Sequence, residues 1–148
     1  IDTLNGKATQ FVSEPPSLVM EFEAVPEFCH SPNQVVQGGF VTGMLDTSMA
    51  HLLIALSGGR LNPVSLDINV SFLAPAHPGK LTSEAKVVRL GKSIGYFSSS
   101  LYQQEILVAT ATSTIKLVPM PEEFIEVAND KLAVINSAYD KISTQRGL

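Results

Sequence analysis

Two spacings of apolar residues alternate along the chain, and each change between them marks an element boundary. Ser17 to Val25 steps by two: Leu18, Met20, Phe22 and Ala24 alternate with Val19, Glu21 and Glu23, as in a strand with one buried face. Pro26 to Gln34 (PEFCHSPNQ) breaks that period and reads as a loop. After Gly38-Gly39 the chain turns apolar at nearly every position as far as Leu56, where Ser57-Gly58-Gly59 stops it. This run predicts a helix of about eighteen residues, about 27 Å long. A helix apolar on every side must be surrounded, and a curved sheet can surround it. Period two then returns in Val64 to Leu73, Lys80 to Leu90, Ser93 to Gln103 and Ile106 to Val118. The breaks between them are Pro75, Pro78 and Gly79, then Gly91-Lys92, then Gln104-Glu105.

Short turns between the last three strands suit an antiparallel meander. A strand, a helix and four more strands, with no helices between the later strands, give an α+β class rather than a nucleotide-binding α/β sheet. Glu122 to Ser143 carries Phe124, Val127, Leu132, Ile135 and Tyr139 at mixed three- and four-residue steps, which predicts a C-terminal helix. Residues 1–16 are mixed and end in Pro15-Pro16; a short helix or a loose segment is expected there. No internal repeat or low-complexity segment stands out.

At 148 residues the chain suits a single domain with a proper core. Apolar residues make up 45% and charged residues only 16%, so part of the excess is expected to be hidden at a subunit interface. The net charge is −4, and the ten Lys and Arg are scattered, which argues against nucleic acid. A single cysteine, Cys29, excludes an intramolecular disulfide and suits a reducing compartment such as the cytoplasm. Ile1 stands where an initiator Met would, so a trimmed N-terminus is expected, and no basic-then-apolar signal pattern follows it. The run Phe40 to Leu56 holds Thr42, Asp46, Thr47, Ser48 and His51, which a lipid-spanning helix would bury at high cost; no membrane partner is expected.

Asp46 is the only charged residue between Gly38 and Gly59. Burying an unpaired carboxylate costs several kcal/mol, and Asp has poor helix propensity. Such a residue is paired, faces solvent or faces a cleft. Gly38-Gly39, at the start of the same helix, offers outward N–H groups at the positive end of the helix dipole, which suits a developing oxyanion. A plain tight turn is the other use of such a glycine pair.

Together these features resemble a family. Val36-Gln37-Gly38-Gly39-Phe40 through Leu45-Asp46 is similar to the His-Gly-Gly…Asp motif of PaaI-type hotdog thioesterases, with the acid nine residues after the His position. Val64 to Ala76 (VSLDINVSFLAPA) resembles the strand that follows, and Gly79-Lys80-Leu81, Val87 to Ser93 and Val108 to Val118 fit in order and spacing. The resemblance covers about residues 17–118 and leaves 119–148 as a C-terminal helical extension of one domain, 1–148. It implies a hotdog fold, a long helix wrapped by a curved antiparallel sheet. It also implies hydrolysis of an acyl-CoA or aryl-CoA thioester with no cofactor, by a homodimer or a dimer of dimers.

By the same resemblance Asp46 is the base or nucleophile, the Gly38 amide polarises the carbonyl, and Ser65 helps hold the acid or water. The chain departs from the family at Gln37 (the His position), at Ser31 (usually Asn or Gln), at Ala50 (Thr or Ser in some members) and at Ala74 (often Arg). Gln37 can still brace the loop beside Gly39, and Asn33 is a substitute for the short Ser31. A ligand-binding member without turnover is the alternative, and a hotdog dehydratase, which commonly uses a His, is a weaker third.

The remaining candidates add little. His51 lies five residues after Asp46, off its helical face, and is expected in the core or an interface; His30 and His77 sit in Pro-containing loops and are expected to be solvated. No histidine pair has metal-ligand spacing, so no metal is expected. Ser98-Ser99-Ser100 lacks a nucleophile-elbow context. Arg89 and Lys92 are candidates for the phosphates of coenzyme A, with ordinary surface charge as the plainer use.

Overall fold

The computed structural model describes residues 2–121, and the helix predicted for 122–143 lies outside them. A short 3-10 turn, Asp2–Leu4, leads into β1 (Gly6–Ser13) and β2 (Pro16–Ala24). A second 3-10 turn, Pro26–Phe28, precedes two tiny strands, β3 (Cys29–His30) and β4 (Val35–Val36), which pair with each other. Then come helix α1 (Gly38–Leu56) and strands β5 (Leu61–Phe72), β6 (Gly79–Leu90), β7 (Ile94–Gln103) and β8 (Ile106–Pro119). The six long strands form one antiparallel sheet in the order β1-β2-β6-β7-β8-β5. One long helix against a curved antiparallel sheet is the hotdog arrangement that the resemblance implies.

The helix boundaries follow from local chemistry. Gln37 is the N-cap, but its side chain makes no capping bond. Phe40 in the first turn stacks on Phe28, with ring centroids 4.3 Å apart, and this pins the helix start. At the other end Gly58 and Gly59 take positive φ, as a helix-ending αL position requires, and their N–H groups return to Ala55 O and Ile54 O.

Val41, Met44, Leu45, Ser48, Met49, Leu52 and Leu53 form the buried stripe of α1, at the three- and four-residue steps of one helical face. They meet the sheet side that carries Leu18, Met20, Phe22, Leu81, Phe97 and Ile115, all essentially inaccessible. The long helix is thus packed against a curved antiparallel sheet, as expected. Within one chain the sheet covers one face, and Thr42, Asp46, Thr47, Ala50 and His51 remain only half-buried. By length and composition α1 could cross a membrane, but its packing makes it the core helix of the fold.

Three serines interrupt this apolar contact. Ser48 Oγ donates to Met44 O at 2.7 Å, which leaves Ser83 Oγ of β6 to donate to Ser48 Oγ. Ser99 Oγ of β7 donates to Leu45 O at 3.3 Å. All three are buried.

Strand β1 corrects one expectation, a short helix or loose segment at the N-terminus. The 3-10 turn is brief, and Gly6–Ser13 is a full edge strand on β2. A bulge between Ala8 and Gln10 breaks its alternation, and Phe11 is its one buried residue, so its sequence lacks a clean period.

Candidate active site

Asp46 points from the half-buried side of α1 toward β5, where Ser65 Oγ donates a 2.8 Å hydrogen bond to its Oδ1. One carboxylate oxygen is thereby oriented, and Oδ2 makes no hydrogen bond among the described residues. The approach depends on a bulge. Side chains alternate along a strand, so odd-numbered Ser65 and even-numbered Ile68, Val70 and Phe72 should face opposite ways. The register slips between Ser65 and Asp67, however, and Ser65 pairs with buried Ile115 while Ile68 pairs with buried Ser113. The extra residue, Leu66, puts Ser65 on the helix side. Asp67 fastens the bulge: its Oδ1 accepts the Thr114 N–H at 3.1 Å, and its carbonyl accepts Ser113 Oγ–H at 2.7 Å.

Gly38 starts α1, and neither its amide nor that of Gly39 finds an acceptor among the described residues. Such first-turn N–H groups carry the positive end of the helix dipole. Gly38 lies on the wall of a cleft of about 410 Å³ whose other walls come from Val35-Val36, Val41, Val108 and the Phe72 to Ala76 segment. A Cβ on Gly38 would stand 3.2 Å from the Phe72 ring, so glycine is what lets this ring lie over the helix start.

Sequence reasoning joined Gly38, Asp46 and Ser65. The single chain brings Asp46 and Ser65 together and leaves Gly38 apart, eight residues or about 12 Å away along the helix. Because α1 and β5 run in opposite directions, Gly38 abuts Phe72 near the end of β5 while Asp46 bonds Ser65 nearer its start.

The motif loop is built mainly by backbone. Gln37 N–H donates to Phe28 O at 2.8 Å and Val36 N–H to Ala76 O at 2.8 Å. Gln37 is exposed, and its bracing comes from these main-chain bonds rather than from its side chain. Ser31 and Asn33 are exposed on the turn between β3 and β4, with Ser31 at φ 68°, and neither side chain bonds Asp46. Arg89 pairs with Tyr96 on the outer face of the sheet, away from α1, and lines a separate hollow with Asp67 and Thr114. Lys92 is exposed in the β6–β7 turn.

His30 is exposed and stands on the rim of the Gly38 cleft. His77 is exposed but tied down. Its N–H and carbonyl clamp the Gln103 side-chain amide at 2.9 and 2.8 Å, and its Nδ1 lies 3.2 Å from Gln34 O. His51 is half-buried, with Nδ1 2.9 Å from Thr47 O. Sequence reasoning missed Phe72, the Asp67 bulge and the His77–Gln103 clamp. The one available signal was the Pro75/Pro78 loop, which crosses between β5 and β6 and needs outside partners for its backbone.

Residues 33–110, which hold Gly38, Asp46, Ser65 and Phe72, match the model of the thioesterase superfamily over more than half of the chain. The chain belongs to the thioesterase superfamily. Among solved structures, a phenylacetic acid degradation-related protein of Ralstonia eutropha is 35% identical, with TM-score 0.74 over 78% of this chain and 86% of that one. The PaaI protein from the phenylacetic acid degradation operon of Escherichia coli is 20% identical, with TM-score 0.68 over 79% and 82%. A mutant of a thioesterase enzyme from Staphylococcus aureus is 18% identical, with TM-score 0.71 over 80% and 97%. These last two share the fold. Comparison with curated proteins gives no match. The PaaI-type resemblance read from the motif is borne out, and membership of the superfamily supports a thioester hydrolase.

Proposed function

We propose that this thioesterase hydrolyses an acyl-CoA or aryl-CoA thioester at a site shared between two copies of the chain. One observation carries the proposal: Asp46 and Gly38 sit against opposite ends of the same edge strand, Asp46 on Ser65 and Gly38 on Phe72. An oxyanion donor must stand about 3 Å from the carbonyl oxygen, and the base must act on the adjacent carbon directly or through one water. One thioester does not span the two groups of a single helix. Antiparallel pairing of β5 with a second β5, about a two-fold axis near Ile68 and Asn69, brings Ser65 of each copy opposite Phe72 of the other. Asp46 of one protomer then approaches Gly38 of its partner. The long edge of β5 is unpaired among the described residues and exposes Val64 and Leu66, which supports such pairing.

In this site Asp46 draws a proton from water as the water attacks the thioester carbonyl carbon, or attacks that carbon itself. Ser65 holds one carboxylate oxygen so that the other faces the reacting group. The Gly38 N–H stabilises the oxyanion, and collapse of the intermediate expels the coenzyme A thiolate. Exposed Arg89 and Lys92 are our assignments for the coenzyme A phosphates. We further assign the enzyme to the cytoplasm, where a lone thiol such as Cys29 stays reduced.

Thiol release over a panel of acyl-CoA thioesters tests this reading, with the Asp46→Asn variant as reference. Turnover by the native chain that falls with the variant is expected; absence of turnover over the whole panel overturns it. Binding without turnover is the alternative, and the exposed Ser31 and unbonded Gln37 side chains favour it. Saturable acyl-CoA binding with no thiol release would decide in its favour.

A further inference from the structure

Residues 73–78 cross from β5 to β6, and Pro75 and Pro78 bring no N–H to the crossing. The loop is held from both sides instead. On one side the Leu73 and Ala74 N–H groups donate to Val108 O at 2.9 and 3.2 Å. On the other, the Gln103 side-chain amide accepts the His77 N–H on Oε1 at 2.9 Å and donates from Nε2 to His77 O at 2.8 Å. This two-bond pattern is that of an opposed residue pair in an antiparallel ladder, so one side chain stands in for a strand. A lone exposed hydrogen bond yields readily to water, whereas two bonds on one planar amide fix both the place and the tilt of the peptide groups they hold.

The loop in turn holds the chain that leads into α1. Ala76 O accepts the Val36 N–H at 2.8 Å, and His77 Nδ1 lies 3.2 Å from Gln34 O. A carbonyl only accepts, so the His77 proton is assigned to Nδ1. Ser31 and Gln34 have φ of 68° and 51°, in a region that residues other than glycine rarely adopt, and β3 and β4 pair over two residues each. The turn therefore has little hold of its own, and Gln37 caps α1 without its side chain. The aim of the Gly38 N–H is set by the backbone before it, which is fixed by Ala76 O, the His77 ring and Phe28 O.

We propose that Gln103 is a positioning residue for the Gly38 N–H, acting through His77 on the segment from Gln34 to Gln37. This rests on the thioesterase reading of the site. Gln103 does not wall the Gly38 cleft, so it acts on the donor and not on the substrate. A misplacement of about 1 Å costs as much as about a hundredfold in rate, so a small slackening of the loop is felt at the carbonyl.

The test uses the full-length native chain and the variants Gln103→Ala, His77→Ala and Lys80→Ala. The last is a control at the same end of the sheet that gives up only an exposed ion pair with Glu21. Three quantities are measured: kcat and KM on acetyl-, hexanoyl- and benzoyl-CoA, the hydrogen exchange of the Val36 amide, and Kd for two analogues of each thioester. One analogue is the ketone with methylene in place of sulfur, and the other is the thioether without the carbonyl. Their Kd ratio reads the bond to the Gly38 N–H, which a general loss of stability does not move. Gln103→Ala is expected to lower kcat and the ketone preference about tenfold each, to speed Val36 exchange about tenfold, and to leave KM within about twofold. His77→Ala keeps the clamp and severs only the ring's bond to Gln34, so it should move the same quantities less. The double variant should be little worse than Gln103→Ala, and Lys80→Ala should match the native chain.

Unchanged Val36 exchange in Gln103→Ala, or faster exchange with an unmoved ketone preference, overturns the assignment while hydrolysis itself stands. An equal shift from Lys80→Ala overturns it too. Sedimentation checks assembly, and if Gln103→Ala does not fold, the same readouts on His77→Ala decide. If the native chain hydrolyses none of the thioesters, the thioesterase reading fails, and exchange and ketone preference alone decide about Gln103. A shift in both upholds it; either one unmoved, or no binding of any analogue, overturns it.

Discussion

Ser65 reaches Asp46 only because β5 carries one extra residue, Leu66, between Ser65 and Asp67. The bulge is held by Asp67, whose carboxylate takes the Thr114 N–H. Ser65→Ala should lower kcat about threefold to tenfold, the scale of one hydrogen bond. Asp67→Ala should do much the same in the native background and little more in the Ser65→Ala background, because it acts through Ser65. Full additivity in that double-mutant cycle would show that the bulge does not orient the acid.

Asp46→Asn keeps the shape of the side chain and removes its charge. Hydrolysis should fall by about a hundredfold or more, as expected for loss of a general base. Asp46 lies at the half-buried flank of the packed stripe, and the Asn Oδ1 can still accept the Ser65 hydrogen bond, so the melting temperature should change little and substrate affinity should hold or rise. Unchanged turnover by a purified variant would mean that another group acts as base.

The shared site predicts complementation. Gly38→Pro removes the proposed donor at a first-turn position where proline suits the helix, and the exposed Phe72 ring can give way to its Cβ. Homodimers of Gly38→Pro and of Asp46→Asn should each be nearly inactive. After subunit exchange, random mixing in equal amounts should restore roughly a quarter of native activity, since mixed dimers hold one intact site in two. Folded, exchanged variants with no recovered activity would exclude a site built from two chains.

Ser31 occupies a left-handed backbone conformation, φ 68°, that Asn tolerates better than Ser. Ser31→Asn should therefore raise stability slightly, by about 0.5 kcal/mol, within the range of surface substitutions. Combined with Gln37→His it should leave activity unchanged or higher. A large loss on the acyl-CoA panel would show that this loop works differently from the family pattern.

Arg89→Ala and Lys92→Ala should raise KM for coenzyme A thioesters, with a larger effect at low salt. Thioesters of pantetheine, which lacks the phosphates, should be unaffected. Equal changes in both substrate series would assign these cations a structural role.

The sequence made the order of elements legible wherever a period was clean. Helix α1 begins and ends at its glycine pairs, and Gln104-Glu105 forms the predicted turn, both residues taking positive φ. Strand β1 was hidden because a bulge scrambles its alternation and the sheet edge buries one residue of it. Asp46 stood out as a lone charge, and resemblance supplied Ser65. That the two meet could not be read from spacing, since the Leu66 bulge inverts the parity of β5. Phe72 was invisible for another reason: an apolar residue in a strand looks the same in a core as over a cleft.

The serines beneath α1 bear on how many arrangements the core can adopt. A helix that is apolar almost all round could turn about its own axis and bury nearly the same area, so its packing alone gives little preference for one setting. A shift by one residue turns it about 100°. That shift would break the Ser83–Ser48 bond and carry the Leu45 carbonyl away from Ser99. Each buried hydroxyl left without a partner costs about 1–3 kcal/mol. These small polar contacts thus act as keys that admit a single rotation, the one that aims Asp46 at β5. With alanine at all three positions the chain should keep its secondary structure and much of its stability, yet spread over several helix settings. Uniqueness would be lost before foldedness, and the aim of the acid with it.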